Sequence, residues 1–272
     1  MRIGLITPDP GHPLLATAAE MLGAEHEVRV LDPADPGAAA CAATDRADVY
    51  LLKARTPRAL ELARELERQG ARVVNSAEAT ERCQDRTEMA ELARRAGLPF
   101  ATTRTFGSLG QLALHSTGPG LPGMPWPVVV KSRRSRKGDL VARVDDAARL
   151  RKLAGGWGQE PVVVQGFAPN NGWDHKLWAI GNRVFTALRR SELADGESSA
   201  EHAPEEPRPE WAELTLRVGE VFGLDVYGVD VIDTGEGTPL IVDVNAFPGI
   251  RGQAGAPEAL AALAVRRARG NG

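Results

Sequence analysis

Short apolar runs alternate with amphipathic stretches through the first 76 residues. Ile3 to Ile6, Glu27 to Leu31, Val49 to Leu52 and Arg72 to Asn75 read as strands, and Leu14 to Gly23 and Pro57 to Gln69 as helices. That order predicts a βαβ rhythm. Open α/β sheets gather ligands at the carboxyl ends of their strands, which here are the loop Thr7 to Pro13 and the segment Lys53 to Arg55. Either could touch a substrate, although a solvated loop histidine is the more ordinary reading of His12, and Lys53 and Arg55 are undecided in the same way.

Beyond residue 76 the pattern changes. Ser76 can cap one helix, Asp85 with Glu88 makes a capping-box pattern for a second, and Gly97 before Pro99 stops it, with a boundary near 98–105. Leu109 to Trp126, rich in Gly and Pro, reads as loop after a short helix. Pro127 to Lys131, Leu140 to Val144 and Pro161 to Gln165 read as strands, with a helix from Asp145 to Leu153 that ends at Gly155-Gly156. His175 to Ile180 and Arg183 to Arg190 form a hairpin through Gly181-Asn182. Trp211 to Phe222 and Pro257 to Arg269 are helical, and the polar stretch 194–209 has no apolar period, which predicts a mobile loop.

The most informative chemistry lies in a second hairpin, where β-branched runs flank Thr234 to Pro239. Side chains alternate along a strand, so Asp243 and Asn245 share a face, and cross-strand pairing can bring Asp230 beside them. Three hard oxygen donors without His or Cys suit Mg²⁺, which takes one or two protein carboxylates and completes its shell with water and phosphate. Surface carboxylates are the plain alternative, but an unpaired charge among Val and Ile costs several kcal/mol.

Five cationic residues, Lys131, Arg133, Arg134, Arg136 and Lys137, fall in seven positions at the end of an apolar strand. Lys131, on the strand itself, would be held rigidly enough to neutralise a phosphate, and Gly138 with two hydroxyls suits phosphate contact in the loop; a solvated face is the alternative. Gln165, Gly166 and Phe167 end an apolar strand and can offer amides to a ring edge. Asp174 and Lys176 share a face, fit for a ribose hydroxyl and a phosphate, or equally for an exposed ion pair. Arg189, Arg190 and Arg251 are candidates for stabilising charge on a transferring phosphoryl group.

Composition narrows the class. The chain has 272 residues, 25% of them charged, a net charge of −3 and two cysteines, Cys41 and Cys83, without CxxC spacing. No basic excess argues for nucleic acid, no apolar stretch approaches membrane length, and too few cysteines exist for a disulfide framework. A cytoplasmic address and no membrane or nucleic-acid partner are expected, and a homodimer is compatible with the sequence.

In this order the motifs resemble the ATP-grasp superfamily over nearly the whole chain. They are Asn75-Ser76, Asp85-Arg86, Val129-Val130-Lys131, Gln165-Gly166-Phe167, Asp174 to Gly181, Asp230, and Asp243-Val244-Asn245-Ala246-Phe247-Pro248-Gly249. The resemblance implies an α/β (α+β) ATP-grasp fold: an N-terminal βαβ subdomain over 1–80, a small central lid subdomain over 81–168 with the phosphate loop, and a C-terminal α+β subdomain over 169–272. It implies ATP between two subdomains, with Arg86 and Lys131 on phosphates, Gln165 and Phe167 near adenine, Asp174 near ribose, and Mg²⁺ (or Mn²⁺) on Asp230, Asp243 and Asn245. The chain resembles carboxylate–amine ligases of the ribosomal-protein glutamate ligase and glutathione synthetase type. Arg86 in place of Lys, Asp243 in place of Glu and the Asn-Ala-Phe-Pro-Gly wording are similar to the inositol-polyphosphate kinases. The implied activity is therefore ATP-dependent ligation of a carboxylate to an amine on a small-molecule or peptide acidic substrate. The alternatives are a kinase acting on a hydroxyl of an inositol-phosphate-like substrate and, further off, a regulatory nucleotide binder without turnover.

Overall fold

A computed structural model of the chain describes every residue except 117–119, 122, 192, 194–202, 205–207 and 271–272. The loop expected to be mobile at 194–209 therefore lies for the most part outside the described residues. Among those described, no helix is long and apolar enough to cross a membrane.

The first layer is the expected βαβ unit. Strands β1 (Arg2–Ile6), β2 (Glu27–Leu31), β3 (Val49–Leu52) and β4 (Val73–Val74) form a parallel sheet in the order β2-β1-β3-β4. Helix α1 (Pro13–Gly23) follows β1 and α3 (Pro57–Arg68) follows β3; Thr56 caps α3 by accepting from the Ala59 amide, and Pro57 opens it. A further helix, α2 (Ala38–Thr44), was not predicted. Its sequence has no apolar period, but Ala38 packs with Tyr50 and Leu62, so burial and not pattern fixes it.

Helices α4 (Ala77–Arg82) and α5 (Arg86–Arg95) carry the expected caps, Ser76 accepting from the Ala79 amide at 3.1 Å and Asp85 from the Thr87 amide at 2.9 Å. A second sheet has the order β5-β10-β8-β9, from β5 (Thr103–Phe106), β8 (Val128–Ser132), β9 (Val141–Val144) and β10 (Val162–Gly166). Its edge strand β5 was missed because Thr and Arg alternate there without an apolar run. Between β5 and β8 lie α6 (Leu109–His115) and a short ladder of β6 (Gly120–Leu121) with β7 (Met124–Pro125), where only loop was expected after the helix. Helix α7 (Ala147–Trp157) runs through Gly155 and Gly156 where it was expected to stop, since Trp157 packs onto the cluster that buries Leu150.

The third sheet is antiparallel, in the order β13-β12-β11-β14-β15. It contains β11 (Trp173–Ile180), β12 (Arg183–Arg190), β13 (Ala203–Pro204), β14 (Val226–Asp233) and β15 (Pro239–Ala246), which include both predicted hairpins. Alternation sorts its side chains cleanly. Leu177, Tyr227, Val229 and Val244 face α8 (Pro209–Phe222), meeting Trp211, Val218 and Phe222. The opposite face sets Trp178, Ile180 and Val226 against Leu260 and Leu263 of α9 (Ala256–Arg269) and Ile3, Leu5 and Leu51 of the first sheet. First and third sheets thus share one core.

Asn75 secures that union. Its buried amide donates to the Val226 carbonyl at 2.6 Å and accepts from the Asp225 and Val226 amides at 2.7 and 2.9 Å. Asn75→Ala takes the acceptor from the Asp225 and Val226 amides, while the Val226 carbonyl keeps the Phe247 amide at 2.8 Å, and is expected to cost about 1–3 kcal/mol, read as a lower urea midpoint. A shift below about 0.5 kcal/mol, the scale of a surface change, would contradict this role.

Candidate functional site

The face of the third sheet that packs on α9 continues past the helix, and there its inward residues turn polar. Because Lys176 pairs with Asp230 and Ala187, and Asp230 pairs with Asp243, one row of side chains crosses four strands: Ala187, Lys176, Asp230, Asp243. One row along, Asp174 stands opposite Arg189. The second sheet faces this row with Val129, Lys131 and Gln165, and a cavity opens between the two sheets.

Its charges are tightly arranged. Lys176 and Asp230 form an ion pair at 2.8 Å. A bulge in β15 leaves Val242 outside the ladder, and its carbonyl accepts from Lys131 Nζ at 2.7 Å. Asp243 meets Arg86 Nη2 at 3.1 Å, and Arg86 also reaches Asp139 at 2.5 Å and the Ser132 carbonyl at 2.9 Å. Burial alone would raise the Asp243 carboxyl, but the Arg86 guanidinium and the Lys131 ammonium outweigh it and hold the group below the usual carboxylate range. Lys131 is pushed down by its own burial, with Asp243 opposing the shift.

The rest of the cavity is largely apolar, with Ala101, Val129, Phe167 and Ile232 in its walls. Phe167 carries the Arg143 guanidinium 4.5 Å above its ring. Gln165 is buried, its side-chain amide donating to Thr103 Oγ1 at 3.1 Å, while at Gly166 nothing stands within 4 Å of where a Cβ would lie. Asp174 and Arg189 approach to 3.9 Å at the rim.

The sequence-predicted residues therefore divide. Lys131, Gln165, Gly166, Phe167, Asp174, Lys176, Arg189, Asp230 and Asp243 line this cavity together. Arg86 lies behind it, buried between Asp139 and Asp243. Arg190, one step from Arg189 and so on the other face of β12, lies over the Trp173 ring at 5.5 Å. Arg251 is not among the residues that line this cavity; burial first, and the Arg251 charge to a lesser extent, disfavour protonation of His12 and Lys53. Asn245 lines a second cavity with Lys53, Arg55 and the turn Phe247-Pro248-Gly249. Gly228, across from Asn245, gives that turn room, since a Cβ would lie 3.1 Å from Pro248 and from Trp178.

Three arginines of the basic loop pair with acids of the protein. Arg133 binds Asp85 at 2.8 Å, Arg134 approaches the same carboxylate at 3.4 Å, and Arg136 binds Glu160 through two hydrogen bonds of 2.8 and 2.9 Å. Those ion pairs pin the loop over the start of α5. Two residues beside the cavity carried little sequence signal: Asp139, the lone acid in this stretch, which pairs with Arg86, and Arg143, marked only by its place among the alternating residues of β9 opposite Val129.

Asp230 and Asp243, as facing carboxylates, are a suitable donor set for a hard divalent cation. Among the described residues no group of three His, Cys, Asp or Glu side chains gathers. Both carboxylates hold a cationic side chain, so this spot already demands positive charge.

The fold has known counterparts. A probable α-L-glutamate ligase 2 of Hahella chejuensis is 28% identical over 195 residues, 70% of this chain and 63% of that protein, so the chain spans less than two thirds of that relative. The solved RimK-domain ATP-grasp protein of Sphaerobacter thermophilus superposes with a TM-score of 0.76 at 23% identity, covering 97% of this chain and 99% of that one. D-alanine–D-alanine ligase of Bacillus anthracis does so with a TM-score of 0.74 at 15% identity over the full length of both chains. These likenesses bear out the ATP-grasp fold. A family model for the RimK-like ATP-grasp domain matches residues 120–258, from the ladder before β8 to the start of α9, and by that match the chain belongs to the RimK-like ATP-grasp family.

Proposed function

We propose that this chain is an ATP- and Mg²⁺-dependent ligase that joins a carboxylate to an amine through an acyl phosphate. The observation that carries the reading is the row Lys176, Asp230, Asp243 facing Lys131 across a cavity with apolar walls. Apolar walls suit a purine ring, and a buried polar end suits a polyphosphate.

In this reading adenine lies against Phe167 near Gln165 and Gly166, and Asp174 takes the ribose. Lys131 and Lys176 take phosphates, and Arg86 supports them from behind through Asp243. Asp230 and Asp243 would hold Mg²⁺, with Asn245 next on the same strand face; the ion would neutralise phosphate charge as it develops. A substrate carboxylate oxygen attacks the γ-phosphorus and ADP departs. The amine then bonds to the acyl carbon, phosphate leaves with the electron pair, and the amine proton passes to solvent. Arg189 stands at the cavity rim, where it can steady charge on the transferring group, whereas Arg190 and Arg251 stand outside this step.

In this reading the chain divides as 1–80, 81–168 and 169–272, with the second sheet as a lid over a base made of the other two, although α5 within the middle stretch packs Met89 and Ala93 on the core of the third sheet. The family match favours the ligase over the polyol kinase that Arg86 and Asp243 left open. The names of the glutamate ligases among the relatives point to an acidic amino acid as substrate. Capture of the acyl phosphate by hydroxylamine tests the proposal.

A further inference from the structure

Asp139 takes part in none of the steps proposed above, yet one side chain ties it to them. Arg86, which opens α5, is buried; its Nη1 donates to the Ser132 carbonyl at 2.9 Å and to Asp139 at 2.5 Å, and its Nη2 donates to Asp243 at 3.1 Å. Its Nε donates to no described residue, so the two terminal nitrogens alone fix where the guanidinium lies. Ser132 and Asp139 are the two ends of the basic loop, whose neck is closed by the Ser132 amide on the Leu140 carbonyl at 2.8 Å and the Leu140 amide on the Ser132 hydroxyl at 3.0 Å. Asp139 therefore stands on a fixed support. Burial opposes the charge of Arg86, but Asp243 and Asp139 outweigh it and raise the guanidinium above its ordinary value.

The geometry at Asp243 is one-sided. Arg86 meets Oδ2, whereas Oδ1 has only the Val244 amide at 3.2 Å. A guanidinium can make two parallel bonds to a carboxylate, and such a clasp would cover both oxygens of Asp243. Asp139 draws Nη1 the other way. Resting on the reading of Asp230 and Asp243 as the Mg²⁺ carboxylates, we propose that Asp139 is a positioning residue: by holding Arg86 Nη1 it keeps the guanidinium from clasping Asp243 and leaves Oδ1 to the cation. Arg86 then balances a buried carboxylate without competing for it. Both metal carboxylates lie on the third sheet, but the one at Asp243 is set from the neck of a loop on the second. Groups that orient a metal ligand from outside in this way change metal affinity by about 10- to 100-fold when removed.

Fluorescence titration of a non-hydrolysable ATP analogue into the full chain, with and without Mn²⁺, gives the factor by which the cation tightens the nucleotide and needs no turnover. In the wild type that factor should be about 20 or more. In Asp139→Asn it should fall at least about 10-fold while metal-free affinity stays within about threefold, which a merely structural role would not produce. Asp85→Asn serves as the control, since asparagine keeps the α5 cap but unfastens Arg133 and Arg134; the wild-type factor should survive within about twofold. In an Arg86→Gln background, with no guanidinium to restrain, Asp139→Asn should change the factor by less than about twofold. That double variant removes both buried charges together, so it keeps the test open should Asp139→Asn alone not fold. An unchanged factor in Asp139→Asn, an equal loss in Asp85→Asn, or a further loss in the Arg86→Gln background would overturn the proposal. Absence of any tightening by Mn²⁺ in the wild type would instead refute the Mg²⁺ reading on which it rests.

Discussion

Asp243→Ala is expected to lower ATP turnover by at least about 1,000-fold, the scale of removing a metal-borne stabilisation of several kcal/mol. Asp243 sits where β14 and β15 place it opposite Asp230, and it is the acid that balances Arg86 and Lys131. The substitution therefore acts twice. It removes an oxygen donor from the phosphate end of the cavity and leaves the buried Arg86 with Asp139 as its remaining carboxylate partner. The stability cost should be about 3–5 kcal/mol, as for breaking a buried pair by deleting one member. Asp230→Asn separates the two effects, because the ion pair of Asp230 is with the less buried Lys176 and its field on Lys131 is weaker than that of Asp243. It should lose turnover comparably while unfolding close to the wild-type midpoint. Circular dichroism with a coupled ADP assay checks both, and an Asp243→Ala protein that keeps more than a tenth of wild-type turnover would remove the site from consideration.

Lys131→Met should lower turnover by about 100-fold or more, comparable to deleting one preorganised donor to a developing charge. The lysine is held in place at its ammonium by the Val242 carbonyl and along its stem by the strand, so it is oriented before substrate arrives. Methionine fills nearly the same volume without the charge, which keeps the second sheet packed. Weaker nucleotide binding should accompany the loss, measured by titration of a fluorescent ATP analogue. Unchanged affinity and turnover would mean that Lys131 serves only to balance Asp243.

The strand pattern makes much of this site legible. Period-two alternation along β11 is enough to put Asp174 and Lys176 on one face, and the turn residues 234–239 mark the hairpin that brings Asp243 across from Asp230. Which cation goes with which acid has no such signature. Five basic residues in a loop look alike in sequence, but Arg133 and Arg136 turn to Asp85 and Glu160, and only Lys131 enters the cavity. Arg86 likewise depends on Asp139 and Asp243, respectively 53 and 157 residues away in the chain. Helix α2 and strand β5 are hidden for a related reason, since neither has an apolar period: α2 is nearly all alanine and β5 is placed by its ladder with β10. His12, Lys53 and Arg55 belong to the carboxyl ends of β1 and β3, as their positions imply, but their convergence on the turn after β15 is a fact of packing.

The most direct measurement of the ligase proposal is incubation of the full chain with Mg-ATP, L-glutamate and hydroxylamine, without an amine co-substrate. Formation of a glutamyl hydroxamate in step with ADP, abolished in Asp243→Ala, is the predicted result. ADP release that instead requires a polyol phosphate, with no hydroxamate formed from any carboxylate supplied, would contradict it.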